Sequence, residues 1–220
     1  MILCGGRGTR LNGERPKPLM EIAGRPIVWH VISIYAAQGF RDFVLLTGWR
    51  GDEVAAWSDW PDGVSVECVD TGVDTPTGGR VHAVRGRLRQ TSCLTYADGV
   101  ADVDLAALIE CHRGAGALAT MTVVRPGLPF GVAMLDGERV AGFREKPVSG
   151  DWVNGGFFVL EPGALAYLGP DSVLEREPLE RLAAAGALAA YRHSGFWRCL
   201  DTAKDAAALE EAGPARWLRI

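Results

Sequence analysis

The sequence predicts an α/β fold on a mixed, mainly parallel sheet, and three observations carry that reading. Short apolar strands and helical patterns alternate up to about residue 125, as they do where parallel strands are joined by crossover helices. A glycine-rich turn, Cys4-Gly-Gly-Arg-Gly8, follows the first apolar residues. Ligands of open α/β sheets sit at such strand ends. From about residue 126 the order changes to a hairpin pattern, with Asp136-Gly137 as its turn, so an antiparallel segment is embedded in the fold. The expectation is one Rossmann-like domain over 1–220 in three layers, with helices on both faces of the sheet.

The elements follow in order. Pro26 to Gly39 reads as a helix: Pro26 lies at an early helical position, Ile27, Val31, Ile34 and Tyr35 recur at helical spacing, and Gly39 is its stop. Phe43 to Leu46 is a buried strand, Val54 to Trp57 a short helix, and Pro61-Asp62-Gly63 turns the chain into a strand at Val64 to Val69. Asp70 to Arg80 is a polar, glycine-rich loop, followed by a helix through Val84 and Leu88. Then come a strand at Cys93 to Tyr96, a helix at Asp104 to Arg113 capped by Asp104, and a strand at Leu118 to Val124. The hairpin pairs Gly131 to Leu135 with Arg139 to Phe143. Strands at Val153 to Leu160 and Ala189 to Arg192 flank a helix from Leu174 to Ala184, and a last helix spans Thr202 to Ala212.

Composition removes several classes. Apolar residues make up 48% and charged residues 23% of the chain, a globular balance. The net charge of −4, with arginines scattered along the chain, speaks against nucleic acid as a partner. No apolar run is long enough to span a membrane and the first residues lack a signal-peptide layout, so a cytoplasmic protein with no membrane partner is expected. Cys4, Cys68, Cys93, Cys111 and Cys199 are odd in number and contain no C-x-x-C pair, which favours neither a disulfide framework nor a zinc site. The histidines, His30, His82, His112 and His193, show no metal-ligand spacing.

The chemistry-bearing residues begin at the glycine turn. Gly5, Gly6 and Gly8 allow positive φ and close approach of backbone N–H groups to an anion, while Arg7, Arg10 and Lys17 add positive charge. A bare strand-to-helix turn is the alternative. Only Lys17, Lys146 and Lys204 are lysines among 23 basic residues. An ammonium is a compact point charge suited to a narrow phosphate site, and that reading applies to Lys17 and Lys146 better than to Lys204. Asp98 follows the strand ending at Tyr96 and is a candidate metal ligand. Asp201 also stands between an apolar strand and a helix, where an N-cap is the alternative. Two strand-end carboxylates suit Mg²⁺, which completes its octahedron with phosphate oxygens and water. Glu145-Lys146-Pro147 reads as an exposed strand exit unless a ligand meets it. Asn154-Gly155-Gly156 puts two glycines inside a strand, a weakness explained if a flat sugar ring comes close.

The string Cys4-Gly-Gly-Arg-Gly-Thr9-Arg10-Leu, followed by Arg15-Pro-Lys17-Pro-Leu, resembles the N-terminal signature of the sugar nucleotidyltransferases. Within that family Asp70 to Arg80, Tyr96 to Asp102, Val173 to Leu179 and Tyr191 to Thr202 look like the glucose-1-phosphate cytidylyltransferases in order and spacing. The resemblance covers nearly the whole chain. It implies a nucleotidyltransferase fold, with a nucleotide-binding half at about 1–125 and a sugar-phosphate-binding half at about 126–220. It implies transfer of a cytidylyl group from CTP to a sugar 1-phosphate, with Mg²⁺ as cofactor and Asp98 and Asp201 as its ligands. Gly5, Gly6, Gly8, Thr9, Thr77, Gly78, Gly79 and Arg80 would bind the nucleotide, the last four at the base-binding loop. Arg10 would stabilise the leaving pyrophosphate, Lys17 the α-phosphate, and Lys146 the phosphate of the sugar, with Glu145, Asn154, Gly155 and Gly156 around the sugar.

Two departures accompany this resemblance. The segment from Trp57 to Asp70 is short where cytidylyltransferases of this type carry a long insertion, and Pro129 replaces an arginine before Phe-Gly. The first leaves the sugar and a homo-oligomeric state open. Other readings are the same chemistry with UTP, dTTP or GTP or another phosphorylated acceptor, and a non-catalytic nucleotide-sugar-binding module on the same fold.

Overall fold

The computed structural model describes residues 1–8 and 15–218. In chain order its elements are β1 (Ile2–Leu3), β2 (Glu21–Ile22), β3 (Arg25–Pro26), α1 (Ile27–Ala36), β4 (Asp42–Thr47), α2 (Gly51–Ala56), β5 (Ser65–Asp70), α3 (Thr77–Ala83), β6 (Ser92–Tyr96), β7 (Gly99–Ala101) and α4 (Leu105–Ala115). There follow β8 (Ala119–Val124), β9 (Val132–Asp136), β10 (Arg139–Arg144), β11 (Val153–Leu160), α5 (Glu177–Ala184), β12 (Leu188–Arg192), β13 (Trp197–Cys199) and α6 (Ala203–Ala212).

Seven strands form the central sheet in the order β12-β8-β11-β6-β1-β4-β5. All neighbours are parallel except β11, which runs antiparallel to both β8 and β6. The sheet is therefore mixed and mainly parallel. From β1 the chain steps outward to β4 and β5, then returns to place β6 on the other side of β1. That reversal is a topological switch point, where the loops leaving two adjacent strands part and open a crevice. The glycine turn leaves β1 there, and Asp98 leaves β6.

The period-2 alternation of the strands sorts the core into two layers. Ile2, Phe43, Leu45, Phe157 and Val159 pack with Ile27, Val31 and Ile34 of α1, Leu105 and Leu108 of α4 and Leu209 of α6. Leu3, Leu46, Leu94, Phe158 and Leu160 face the other way, against Val81 of α3 and Leu179 and Leu182 of α5. Helices thus cover both faces. The hairpin β9–β10 forms its own two-stranded sheet. Among the described residues no helix is long and apolar enough to cross a membrane.

Local chemistry explains the helix ends. Asp104 caps α4 by accepting from the Ala107 amide at 2.9 Å, and Gly116 closes it in the left-handed conformation. At α6 the cap is Thr202, in a reciprocal capping box with Asp205. The reading of Asp201 as the cap is therefore corrected, and its carboxylate is left for another partner. The expected loop from Asp70 to Arg80 is shorter, because α3 begins at Thr77. Its glycines permit this: a Cβ on Gly79 would lie 2.1 Å from the Pro170 carbonyl oxygen, and one on Gly78 2.4 Å from Ser172 Oγ. The helix expected from Leu174 starts only at Glu177, since the Leu174 amide donates to Thr77 Oγ1 at 2.9 Å.

Helix α1 is tied to the C-terminal segment through a buried histidine. His30 Nε2 donates to the Ile22 carbonyl at 2.7 Å, and His30 Nδ1 accepts from Trp217 Nε1 at 3.4 Å. Made together, the two bonds require the neutral ring with its proton on Nε2. Burial pulls its pKa below 6.5, with the Ile22 carbonyl and Glu210 opposing. Below that pH the unfolded chain takes up a proton that the folded protein resists, so stability falls as pH drops from about 6.5 downward. His30→Gln keeps one donor and one acceptor but removes the titration. Its melting temperature should change less than wild type over that window, and an identical slope would discard this account.

Candidate active site

The site is assembled by a pairing that joins two distant segments. Strands β7 and β13 form an antiparallel ribbon with Trp197 opposite Ala101 and Cys199 opposite Gly99. Backbone hydrogen bonds extend it at both ends, from the Leu200 amide to the Asp98 carbonyl at 2.8 Å and from the Asp102 amide to the Phe196 carbonyl at 3.1 Å. Asp98 immediately precedes β7 and Asp201 lies just beyond β13. The ribbon therefore places their side chains together at the mouth of the switch-point crevice.

Lys17 stands between them. It starts a 3-10 turn over Lys17–Leu19, and its Nζ donates to Asp98 Oδ2 at 2.5 Å and to Asp201 Oδ1 at 2.8 Å. Its side chain is only 17% exposed. Burial alone would lower the lysine pKa, but Asp98 and Asp201 together outweigh it and hold the value above the usual one. The ammonium is thus fully charged at neutral pH. The two carboxylates converge on one cation position, supplying hard oxygen donors from two strand ends. Among the described residues no group of three His, Cys, Asp or Glu side chains is gathered as a metal cage.

Two cavities meet at the two aspartates, and Lys17 borders the first of them. One, of about 480 Å³, is bounded by Cys4, Gly6, Gly8 and Lys17 and by Thr75, Pro76, Thr77 and Arg80. The other, of about 740 Å³, is bounded by Asn154, Gly155 and Gly156, by Glu175 and by Trp197. Asp98, Asp201, Tyr96 and Thr77 border both. The floor of the second depends on glycine: Gly156 has φ +83, and a Cβ there would lie 2.7 Å from the Tyr96 ring. Trp197 Nε1 fixes the same segment by donating to the Gly155 carbonyl at 2.8 Å.

Gly6, Gly8, Lys17, Thr77, Asp98, Asn154, Gly155, Gly156 and Asp201 each border one or both of these cavities. Thr9 and Arg10 lie outside the described residues. Glu145 and Lys146 border neither cavity. Lys146 has φ +43, is exposed, and lies 3.6 Å from the Glu145 carboxylate.

Arg80 borders the first cavity and also carries a structural tie. It is 4% exposed and donates to the carbonyls of Gly5, Thr47, Gly72 and Val73 and to Thr71 Oγ1. These acceptors lie at the end of β4 and in the loops after β1 and β5, so the arginine ties three strand ends together. Gly5 serves this tie: a Cβ there would lie 2.1 Å from the guanidinium carbon, and one on Gly48 would lie 2.4 Å from Nη1. Gly78 and Gly79 are likewise occupied by packing on the 170–172 segment.

Tyr96, Glu175 and Trp197 border the site but drew no role from the sequence. Their signal was present in the family-like segments that contain them, yet neither spacing nor residue type said that they meet.

With the geometry in place, comparison gives the family. The chain belongs to the family described as Nucleotidyl transferase, whose match spans residues 1–197. It is 37% identical to the probable glucose-1-phosphate cytidylyltransferase of Bacillus subtilis, over 93% of this chain and 92% of that one. It is also 37% identical to the glucose-1-phosphate cytidylyltransferase of Salmonella typhi, over 99% of this chain and 97% of that one. In fold it superposes on the crystal structure of HddC from Yersinia pseudotuberculosis complexed with GMP-PN, with a TM-score of 0.77 and 20% identity over 96% of this chain and 97% of that one.

Proposed function

We propose that this protein is a magnesium-dependent sugar-1-phosphate cytidylyltransferase, with glucose 1-phosphate as its first-choice acceptor. An oxygen of the sugar phosphate attacks the α-phosphorus of CTP in line. A new P–O bond forms, the bond from Pα to the bridging oxygen of the β-phosphate breaks, and CDP-sugar and pyrophosphate result. The observation that carries this reading is the convergence of Lys17, Asp98 and Asp201 where two cavities meet. A triphosphate and a phosphorylated sugar entering from either side would share one charged centre. The attacking phosphate is already anionic, so the site requires no histidine base.

Charge neutralisation dominates such a transfer. Asp98 and Asp201 would hold Mg²⁺, which when bound supplies positive charge to the triphosphate. Lys17 would pair with the α-phosphate and Arg10 with the leaving pyrophosphate, and the resemblance gives Lys146, which borders neither cavity, the phosphate of the nucleophile. Both substrates are small and water-soluble, in keeping with a cytosolic enzyme. A pyrophosphate-release assay crossing ATP, CTP, GTP, UTP and dTTP with a panel of sugar 1-phosphates tests the reading. No release with any pair would refute it.

CTP should exceed UTP in kcat/KM by at least about tenfold, because fixed donors and acceptors leave buried groups unpaired when the wrong pyrimidine edge is presented. The supporting observation is the first cavity, which Cys4, Gly6 and the Thr75–Thr77 segment border and whose loops Arg80 locks. Equal or reversed values with one accepted sugar phosphate would remove the cytidylyl assignment and keep nucleotidyl transfer.

A further inference from the structure

We propose that Glu175 is the acceptor that holds the ring hydroxyls of the sugar, so that the second substrate is a pyranose phosphate chosen by hydroxyl pattern. This deepens the cytidylyltransferase reading and rests on it. Glu175 lies just ahead of α5, and its carboxylate borders the larger cavity beside Asn154 and Gly156. Both of its oxygens are already oriented. Thr77 Oγ1 donates to Oε2 at 2.7 Å, and the Tyr96 hydroxyl donates to Oε1.

Those two donors are themselves fixed. Thr77 Oγ1 accepts the Leu174 amide at 2.9 Å, which leaves its proton for Glu175. The Tyr96 ring packs edge-on against Phe158, and its hydroxyl proton goes to Glu175. Each carboxylate oxygen has two acceptor directions. One on each is used from the protein side, and the carboxylate borders the cavity. An acceptor-only group with its rotamer already fixed suits a ligand rich in O–H donors: the bonds are charge-assisted, and little side-chain entropy is lost on binding. The same cavity reaches Asp98 and Asp201, so hydroxyl recognition and the charged centre share one chamber.

The arrangement also separates the substrates by residue. Thr77 borders both cavities, whereas Glu175 borders only the larger one. A Glu175 variant should therefore be felt through the sugar and not through the nucleotide. A merely structural tie between α3 and the 172–176 segment would disturb both.

The test is steady-state kinetics of wild type and Glu175→Gln with CTP, glucose 1-phosphate and its monodeoxy analogues. Glu175→Gln should raise KM for glucose 1-phosphate by at least about tenfold, with KM for CTP within about twofold of wild type. The penalty that wild type shows for at least one deoxy analogue should vanish in the variant, because one acceptor oxygen has become an amide donor. Tyr96→Phe and Thr77→Val, which loosen the carboxylate without removing it, should each raise the same KM by a smaller factor. They keep the test open if Glu175→Gln fails to fold by circular dichroism. An unchanged KM for the sugar, a rise shared equally by CTP, or deoxy penalties identical in wild type and variant would each overturn the proposal while wild-type turnover upholds the enzyme. Absence of wild-type turnover with every sugar phosphate would overturn the enzyme reading and this one with it.

Discussion

Asp98→Asn and Asp201→Asn should each lower kcat by at least about a hundredfold while the fold survives, because each removes a full negative charge from the cation position where transition-state charge must be balanced. The two carboxylates approach one point, marked by Lys17 Nζ at 2.5 and 2.8 Å. Either variant keeps the other ion pair with Lys17. Neither aspartate is deeply buried, with side chains 27% and 45% exposed, so removing one ion pair should change stability little. Neither backbone link of the ribbon depends on these side chains, since Asp98 contributes its carbonyl. Activity and stability should therefore separate. Rates at saturating Mg²⁺ that stay near wild type for either variant would take that residue out of the metal site.

Lys17→Arg should slow the enzyme although the charge is retained, with kcat lowered by at least about tenfold and a higher Mg²⁺ requirement. Lys17 is enclosed, and a Cβ on Gly8 would lie 3.0 Å from its own Cβ, so the larger planar group must shift. A guanidinium also forms forked bonds to carboxylates, and would hold Asp98 and Asp201 more firmly than an ammonium does. That grip competes with a metal for the same oxygens. The expected signature is a variant that melts at or above the wild-type temperature and turns over more slowly. Wild-type kcat and KM, with an unchanged Mg²⁺ dependence, would show that no point charge is needed there.

Much of the fold was legible because it is written locally. The helical spacing of Ile27, Val31 and Ile34 and the β-rich run from Val153 to Leu160 gave α1 and β11 directly. Asp104 declared its cap for the same reason. What stayed hidden depends on distant partners. Gly99–Ala101 reads as part of a loop, since three residues carry no period and its partner β13 is far along the chain. The Thr-Gly-Gly-Arg segment reads as a base-binding loop, and its structural tie shows only when Gly5 and Gly48 are seen to make room for Arg80. Asp98 and Asp201 were legible as strand-end carboxylates, and Glu175 was not, because its role depends on Tyr96 and Thr77 arriving from two other elements.

The ribbon of β7 and β13 has a consequence for how the protein comes to be active. Lys17 and Asp201 are separated by 184 positions in the chain, and three paired residues on each side bring the second carboxylate home. Closing so long a loop is entropically costly before any contact rewards it, and contacts of this range form late. A nascent chain still inside the ribosome at its last helix, or a folding intermediate with only the β1–β6 half in place, would hold Lys17 and Asp98 without Asp201. Competence for chemistry would then arrive only once β13 has paired with β7 and brought Asp201 to the other two residues.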